Sequence, residues 1–255
     1  MPSDKPAIPA APLSSKEQTV ALIVSSSYIL LTLARPWLRS ALFGYEGELT
    51  VATLDSHAVA YFGPTIVTGL IPLCLILFGV RAGWLPRLRE TGTIDISHWG
   101  TVAIVLCGSY VLAGLGIWPF TWQGSDSTTP LLACWAKSGI HLLVPALWAL
   151  HAVVVAPIIE EWVFRRWLPL VLAQLQAPMM VTLLVPSALF ALAHLGTIAL
   201  SSFTAHSVVQ MGWLFLGSIV LTYGMVRWQW RLGGAMVAHG SRNAADLLFL
   251  LLARC

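Results

Sequence analysis

Seven apolar stretches divide this chain, at about 19 to 34, 58 to 80, 99 to 119, 138 to 159, 178 to 196, 204 to 226 and 233 to 253. Each reaches or approaches the roughly 20 apolar residues that a helix needs to cross a bilayer. In hydrocarbon every backbone N–H and C=O must be satisfied inside the segment, so repeated stretches of this length are expected to fold as helices. Short polar joints separate them, at 35 to 55, 81 to 98, 121 to 137 and 227 to 231, and no soluble domain fits between. The expected fold is all-α, a polytopic transmembrane helix bundle with seven to eight spans. The uncertain stretch is 164 to 174, which either extends the fourth helix, lies in the interface or forms an eighth span. Composition agrees, with 57% hydrophobic and 10% charged residues, where a soluble domain carries about 25% charged.

Three regions follow. Residues 1 to 18 are polar, contain Pro2, Pro6, Pro9 and Pro12, and are expected to be a disordered tail. Residues 19 to 135 supply transmembrane helices, and 136 to 255 hold the residues that bear chemistry. The first apolar run follows Lys5 and Lys16 and ends in Leu33-Ala34-Arg35-Pro36 with no small-x-small cleavage site, which favours a retained signal-anchor helix. Arg and Lys density favours a cytoplasmic N-terminus and cytoplasmic joints at 81 to 98, 165 to 166 and 227 to 231. The net charge of +3 carries no basic block longer than Arg165-Arg166, so nothing points to nucleic acid as a partner. Cys74, Cys107, Cys134 and Cys255 stand far apart without CxxC spacing and read as small hydrophobes. The 12 Trp read as interfacial belt and packing.

Ionisable residues inside apolar sequence cost at least a few kcal/mol each at the bilayer centre, so the few present are the informative ones. Glu160 and Glu161 stand together after a long uncharged stretch. Glu161 and Arg165 are spaced i, i+4 with the acid first, the favourable order for an ion pair. Glu160 shares its helical face with Val163, Phe164 and Trp167, and a desolvated carboxylate is a stronger base toward water. His194 is a single histidine closing another uncharged stretch. It lies as far beyond a turn at Gln176 to Pro178 as Glu160 lies before it, which puts the two level in an antiparallel helix pair. His239 and Asn243 share a face at i, i+4 in the last stretch, a spacing that suits two donors addressing one developing oxyanion. Arg242 and Asp246, also i, i+4, read as a structural pair. The blander readings are an interfacial charge cluster for the glutamates and interhelical hydrogen bonding for the histidines and Asn243.

Glu-Glu-x-x-x-Arg (Glu160, Glu161, Arg165), Phe-x-x-x-His (Phe190, His194) and His-x-x-x-Asn (His239, Asn243), in this order across the last four apolar segments, resemble the CPBP family of intramembrane proteases, the CAAX protease and bacteriocin-processing or Abi family. The likeness covers about 140 to 250, including Phe215 to Gly224. The resemblance implies that Glu160 activates the attacking water with His194 beside it, that His239 and Asn243 stabilise the tetrahedral oxyanion, and that Glu161 and Arg165 brace the site. It implies a membrane-associated protein or peptide as substrate and a multi-pass protein of the bilayer, for which short loops favour a bacterial inner membrane. No cofactor is favoured. Zinc on Glu160, His194 and His239 is the variant left open, since no HExxH occurs and the family's glutamate-type description needs no metal. Arg166 departs from the Gly that often follows the motif Arg, and is expected to change local packing or anchor the interface. A competing class is a non-proteolytic membrane protein, either a proton-coupled transporter, although the halves show no repeat, or a scaffold with an inactive site. The site is expected nearer the cytoplasmic face.

Overall fold

The computed structural model describes residues 13–43, 54–85, 143–194, 205–227 and 232–252, and all regular structure among them is helical. The apolar stretch at 99 to 119 lies outside the described residues, as do the cysteines other than Cys74. Helix α1 (Ser15–Phe43) begins inside the stretch read as tail, because the Ser14 hydroxyl accepts the Glu17 N–H at 3.2 Å and satisfies one of the donors that a helix start leaves open. Helix α2 is Leu54–Arg81.

Helix α3 runs without a break through Leu143–Leu150, a π-helical segment His151–Val155, Ala156–Glu160, a second π-helical segment Glu161–Trp167, and Leu168–Gln174. The stretch 164 to 174 therefore extends this helix. Helices α4 (Met179–Ala193), α5 (Ala205–Arg227) and α6 (Leu232–Leu252) complete the described chain. Among the described residues three segments are long and apolar enough to cross a membrane: Ser15–Arg35, Phe62–Arg81 and Ala146–Gln174. Helix α4 is apolar but shorter. Its 15 described helical residues rise about 22 Å against a hydrocarbon core of about 30 Å. Glu160 stands at the middle of Ala146–Gln174, so α3 marks neither face as the nearer one.

Burial follows helical periodicity turned toward α3. On α1, Ala21, Val24, Tyr28, Thr32 and Arg35 are buried at i, i+3/i+4 spacing while Leu22, Ile23, Leu30 and Leu33 face outward. On α2, Leu70, Ile71, Leu77 and Phe78 face outward. An apolar exterior is what lipid accepts, and the interior holds the polar groups. Ile159, Trp162, Val163 and Phe164 of α3 are fully buried at the centre.

Two local features bring the later helices onto α3. At its end Gln176 takes φ +56°, and the N–H groups of Gln176 and Ala177 donate to the Ala173 and Leu172 carbonyls at 3.0 and 2.9 Å. This Schellman closure reverses the chain into α4, so α4 returns antiparallel along α3. Midway, the Ala156 N–H reaches back to the His151 carbonyl, the π-type bond, and Pro157 has no N–H to give. Neither residue supplies the Ala152 carbonyl. Asn243 of α6 does, its Nδ2 donating at 2.8 Å. Gly240, one turn earlier on α6, comes so close that a Cβ built on it would stand 2.7 Å from the Val153 carbonyl oxygen.

Gly240→Ala is therefore expected to push α6 off α3 and lower stability by about 1–3 kcal/mol. Gly217→Ala on α5, where a Cβ meets nothing within 4 Å, is expected to leave stability unchanged or slightly raised. Thermal unfolding of the two variants in the same detergent checks both.

Candidate active site

The two adjacent glutamates point to different partners, as their positions one residue apart on a helix require. Glu160 is buried and receives a hydrogen bond on Oε1 from the Tyr28 hydroxyl of α1. His194 Nε2, at the end of α4, lies 4.0 Å from the same oxygen, and His239 Nε2 of α6 lies 3.6 Å from Oε2. Both histidines are oriented by their other nitrogen. His194 Nδ1 is 2.8 Å from the Phe190 carbonyl, which can only accept, so that nitrogen carries the hydrogen. His239 Nδ1 is 2.8 Å from Glu161 Oε1 and donates to it when Glu161 is ionised. Each imidazole thus presents Nε2 to Glu160, and the turn at Gln176 brings His194 level with Glu160 as the count from sequence predicts.

Glu161 is wholly buried, and its Oε1 serves both His239 and Arg165, whose Nη1 is 3.5 Å away. The Arg165 guanidinium is also fully buried and lies over the Phe190 ring, 4.1 Å from its centroid. Phe190 in turn packs against the rings of His194 and His239, with centroids 4.6 and 6.1 Å apart. The Phe190 ring is the common wall of the site: it shields one face of each imidazole and carries the cation that balances Glu161. Arg166 turns the other way, to Glu17 of α1 at 3.2 Å, with its guanidinium over Trp162. At the place where the family motif often has Gly, this chain uses the side chain to tie α1 to α3.

The structure brings Glu160, Glu161, Arg165, His194 and His239 together. Asn243 joins through its bond to the Ala152 carbonyl, which uses one of its two amide N–H groups. The side chain of Asp246 lies outside the described residues, so its pairing with Arg242 is not part of the described site. Among the described residues no three His, Cys, Asp or Glu stand in an arrangement that holds a metal ion.

Sequence reasoning missed Tyr28. The signal was present as a polar stripe in an otherwise apolar run, with Tyr28, Thr32 and Arg35 at i, i+4 and i+7.

Residues 142–245 match the family model described as type II CAAX prenyl endopeptidase Rce1-like. This is the CAAX-protease family that the motifs resemble. The matched segment is a little under half of the chain and coincides with helices α3 to α6, which carry all of the motifs. No curated protein and no solved structure matches the chain. The match to a CAAX endopeptidase family supports a peptidase of the membrane acting on membrane-associated proteins or peptides. Tyr28 lies outside the matched segment, so the segment similar to that family takes one direct partner of its buried glutamate from helix α1.

Tyr28→Phe keeps the ring packed on Phe164 and removes the hydroxyl. Hydrogen bonds to charged groups are worth about 1.5–3 kcal/mol, so peptidase activity is expected to fall by roughly 10- to 100-fold while the protein stays folded in detergent. Arg165→Met and Glu161→Gln each strand a buried partner and are expected to cost about 3–5 kcal/mol of stability. The double variant should lose less than the sum, as unfolding measurements on the four proteins will register.

Proposed function

We propose that the chain is a glutamate-type intramembrane endopeptidase, with Glu160 as the base that activates water. The observation that carries this is the convergence of both Glu160 oxygens with two imidazole Nε2 atoms at the middle of a candidate spanning helix. In the proposed step Glu160 takes a proton from water as the water oxygen attacks the scissile carbonyl, and later gives that proton to the leaving amine. His194 faces the same oxygen and shares the orientation of the water. Glu161 holds His239 by Nδ1, and in the proposed step a hydrogen on His239 Nε2 is donated to the oxyanion. The remaining Asn243 amide N–H is assigned the second oxyanion contact. Arg165 balances Glu161, which leaves Glu160 as the carboxylate without a dedicated guanidinium.

Zinc chemistry would call on Glu160, His194 and His239; the glutamate reading needs no metal, and no step is routed through one. The proposed substrates are membrane-associated proteins or peptides, of which proteins with lipid-modified C-terminal tails fit the family match most directly. The proposed setting is a multi-pass protein of a bacterial inner membrane with a cytoplasmic N-terminus, following the Arg and Lys distribution.

Purified protein in liposomes, offered tagged single-pass proteins and lipid-modified C-terminal peptides, is expected to cleave at least one class. Glu160→Gln is expected to lower the rate by roughly 100-fold or more, and His194→Ala and His239→Ala by at least tenfold, with folding intact. Unimpaired cleavage by Glu160→Gln would overturn the mechanism. A stoichiometric metal whose removal abolishes cleavage would replace it with the zinc variant.

A further inference from the structure

Helix α1 is fastened to its neighbours on both sides of the Tyr28 contact with Glu160. Eleven residues before Tyr28, Glu17 accepts from Arg166 of α3, Nη2 to Oε1, at 3.2 Å. Seven residues after it, Arg35 Nε donates to Thr68 Oγ1 of α2 at 3.0 Å. Between Glu17 and Tyr28 the inward side chains of α1 are apolar, with Val20, Ala21 and Val24 buried in the core. Apolar contacts hold helix register weakly inside a bilayer, because lipid tails offer similar ones. The polar contacts therefore decide where the Tyr28 hydroxyl stands.

An exposed ion pair is usually worth little, and an acid in a first helical turn is favoured by the helix dipole alone. The Glu17–Arg166 pair is built more firmly than that. Its side chains are only 12% and 16% exposed, and the guanidinium lies over the fully buried Trp162, 5.3 Å from the ring centroid. Stacking holds the arginine in place to meet Glu17. We infer that Glu17 and Arg166 are positioning residues for the proposed reaction, a strut that keeps the Tyr28 hydroxyl on Glu160 Oε1. The inference rests on the protease reading and adds a remote determinant of its rate. A lever carries it. Along α1 the rise from Arg35 to Glu17 is about 27 Å and from Arg35 to Tyr28 about 10.5 Å. With the strut cut and α1 swinging about its fastening to α2, roughly 2.5 Å of movement at Glu17 carries Tyr28 by about 1 Å. An O–H···O hydrogen bond lengthened by that much is no longer one. The strut is also particular to this chain's sequence, since it uses the position where the resembled motif often has Gly.

The test uses the full chain in phosphatidylcholine liposomes, with peptide substrates of the classes named above and rates taken per folded molecule. Glu17→Gln and Arg166→Gln are each expected to lower kcat about 3- to 10-fold with KM within about twofold. Neither loss should exceed that of Tyr28→Phe, and Tm should fall by no more than about 4 °C. Arg166→Lys, which keeps a cation over Trp162, should recover part of the rate. Lys16→Gln removes an exposed charge beside the pair and should cleave as wild type does. The deciding variant is Tyr28→Phe/Arg166→Gln, expected to cleave as fast as Tyr28→Phe alone, because the strut acts through the missing hydroxyl. A further drop there as large as in the wild-type background overturns the inference. Unchanged kcat in both single variants, whatever their Tm, makes the pair merely structural and overturns it while leaving the protease reading intact. A loss in Glu17→Gln without one in Arg166→Gln assigns Glu17 to the helix dipole and overturns it as well. No cleavage of any peptide by wild type removes the protease reading and this inference together.

Discussion

Two adjacent carboxylates at the middle of a membrane-spanning helix set the terms for the rest of this structure. Each is costly there unless a partner is brought to it, and α3 alone offers only Arg165. The other partners come from three helices: Tyr28 from α1, His194 from the end of α4 and His239 from α6. The packing of those helices around α3 and the composition of the site are one and the same arrangement. Because Glu160 and Glu161 are neighbours on a helix, their environments differ. Glu161 is enclosed with a guanidinium and an imidazole, whereas Glu160 faces two imidazoles and a hydroxyl, a setting suited to giving and taking a proton.

The irregularities of α3 serve the same end. Pro157 and the π-helical turn before it withdraw both helical donors from the Ala152 carbonyl, and that carbonyl becomes the point where Asn243 fastens α6. Gly240 allows the close approach. An uninterrupted α-helix would present no free carbonyl at this height, and the register of α6 would rest on the His239 contacts with Glu160 and Glu161 alone. The motif residue Asn243 is thus both an anchor for the helix that carries His239 and, in the proposed mechanism, an oxyanion donor through its second N–H.

Much of this was legible in the sequence because hydropathy and helical spacing are local. The apolar runs predict α2, α5 and α6 closely, whereas α1 runs on to Phe43 through the expected joint at Arg35-Pro36; the Glu161 to Arg165 pairing follows from i, i+4 geometry, and the equal counts on either side of Gln176 put His194 level with Glu160. What was not legible depends on the third dimension. The continuity of α3 through 164 to 174 turns on where a Schellman closure forms, and Gln176 takes the left-handed position more often filled by Gly. Tyr28 escaped notice because its partner is far away in sequence and no motif marks it; only the polar stripe through Thr32 and Arg35 hints that this face of α1 is not turned to lipid. The π-helical segments leave no compositional trace beyond Pro157.

The central claim, that Glu160 acts as a base on water and not as a nucleophile, is tested most directly by a single turnover in water enriched in oxygen-18, with enzyme in excess over a cleavable peptide. Direct attack by water predicts one heavy oxygen in the new carboxylate of the first product molecule and none in the protein. An unlabelled first product, with the heavy oxygen retained in Glu160, would contradict it by showing that the glutamate itself attacks the peptide.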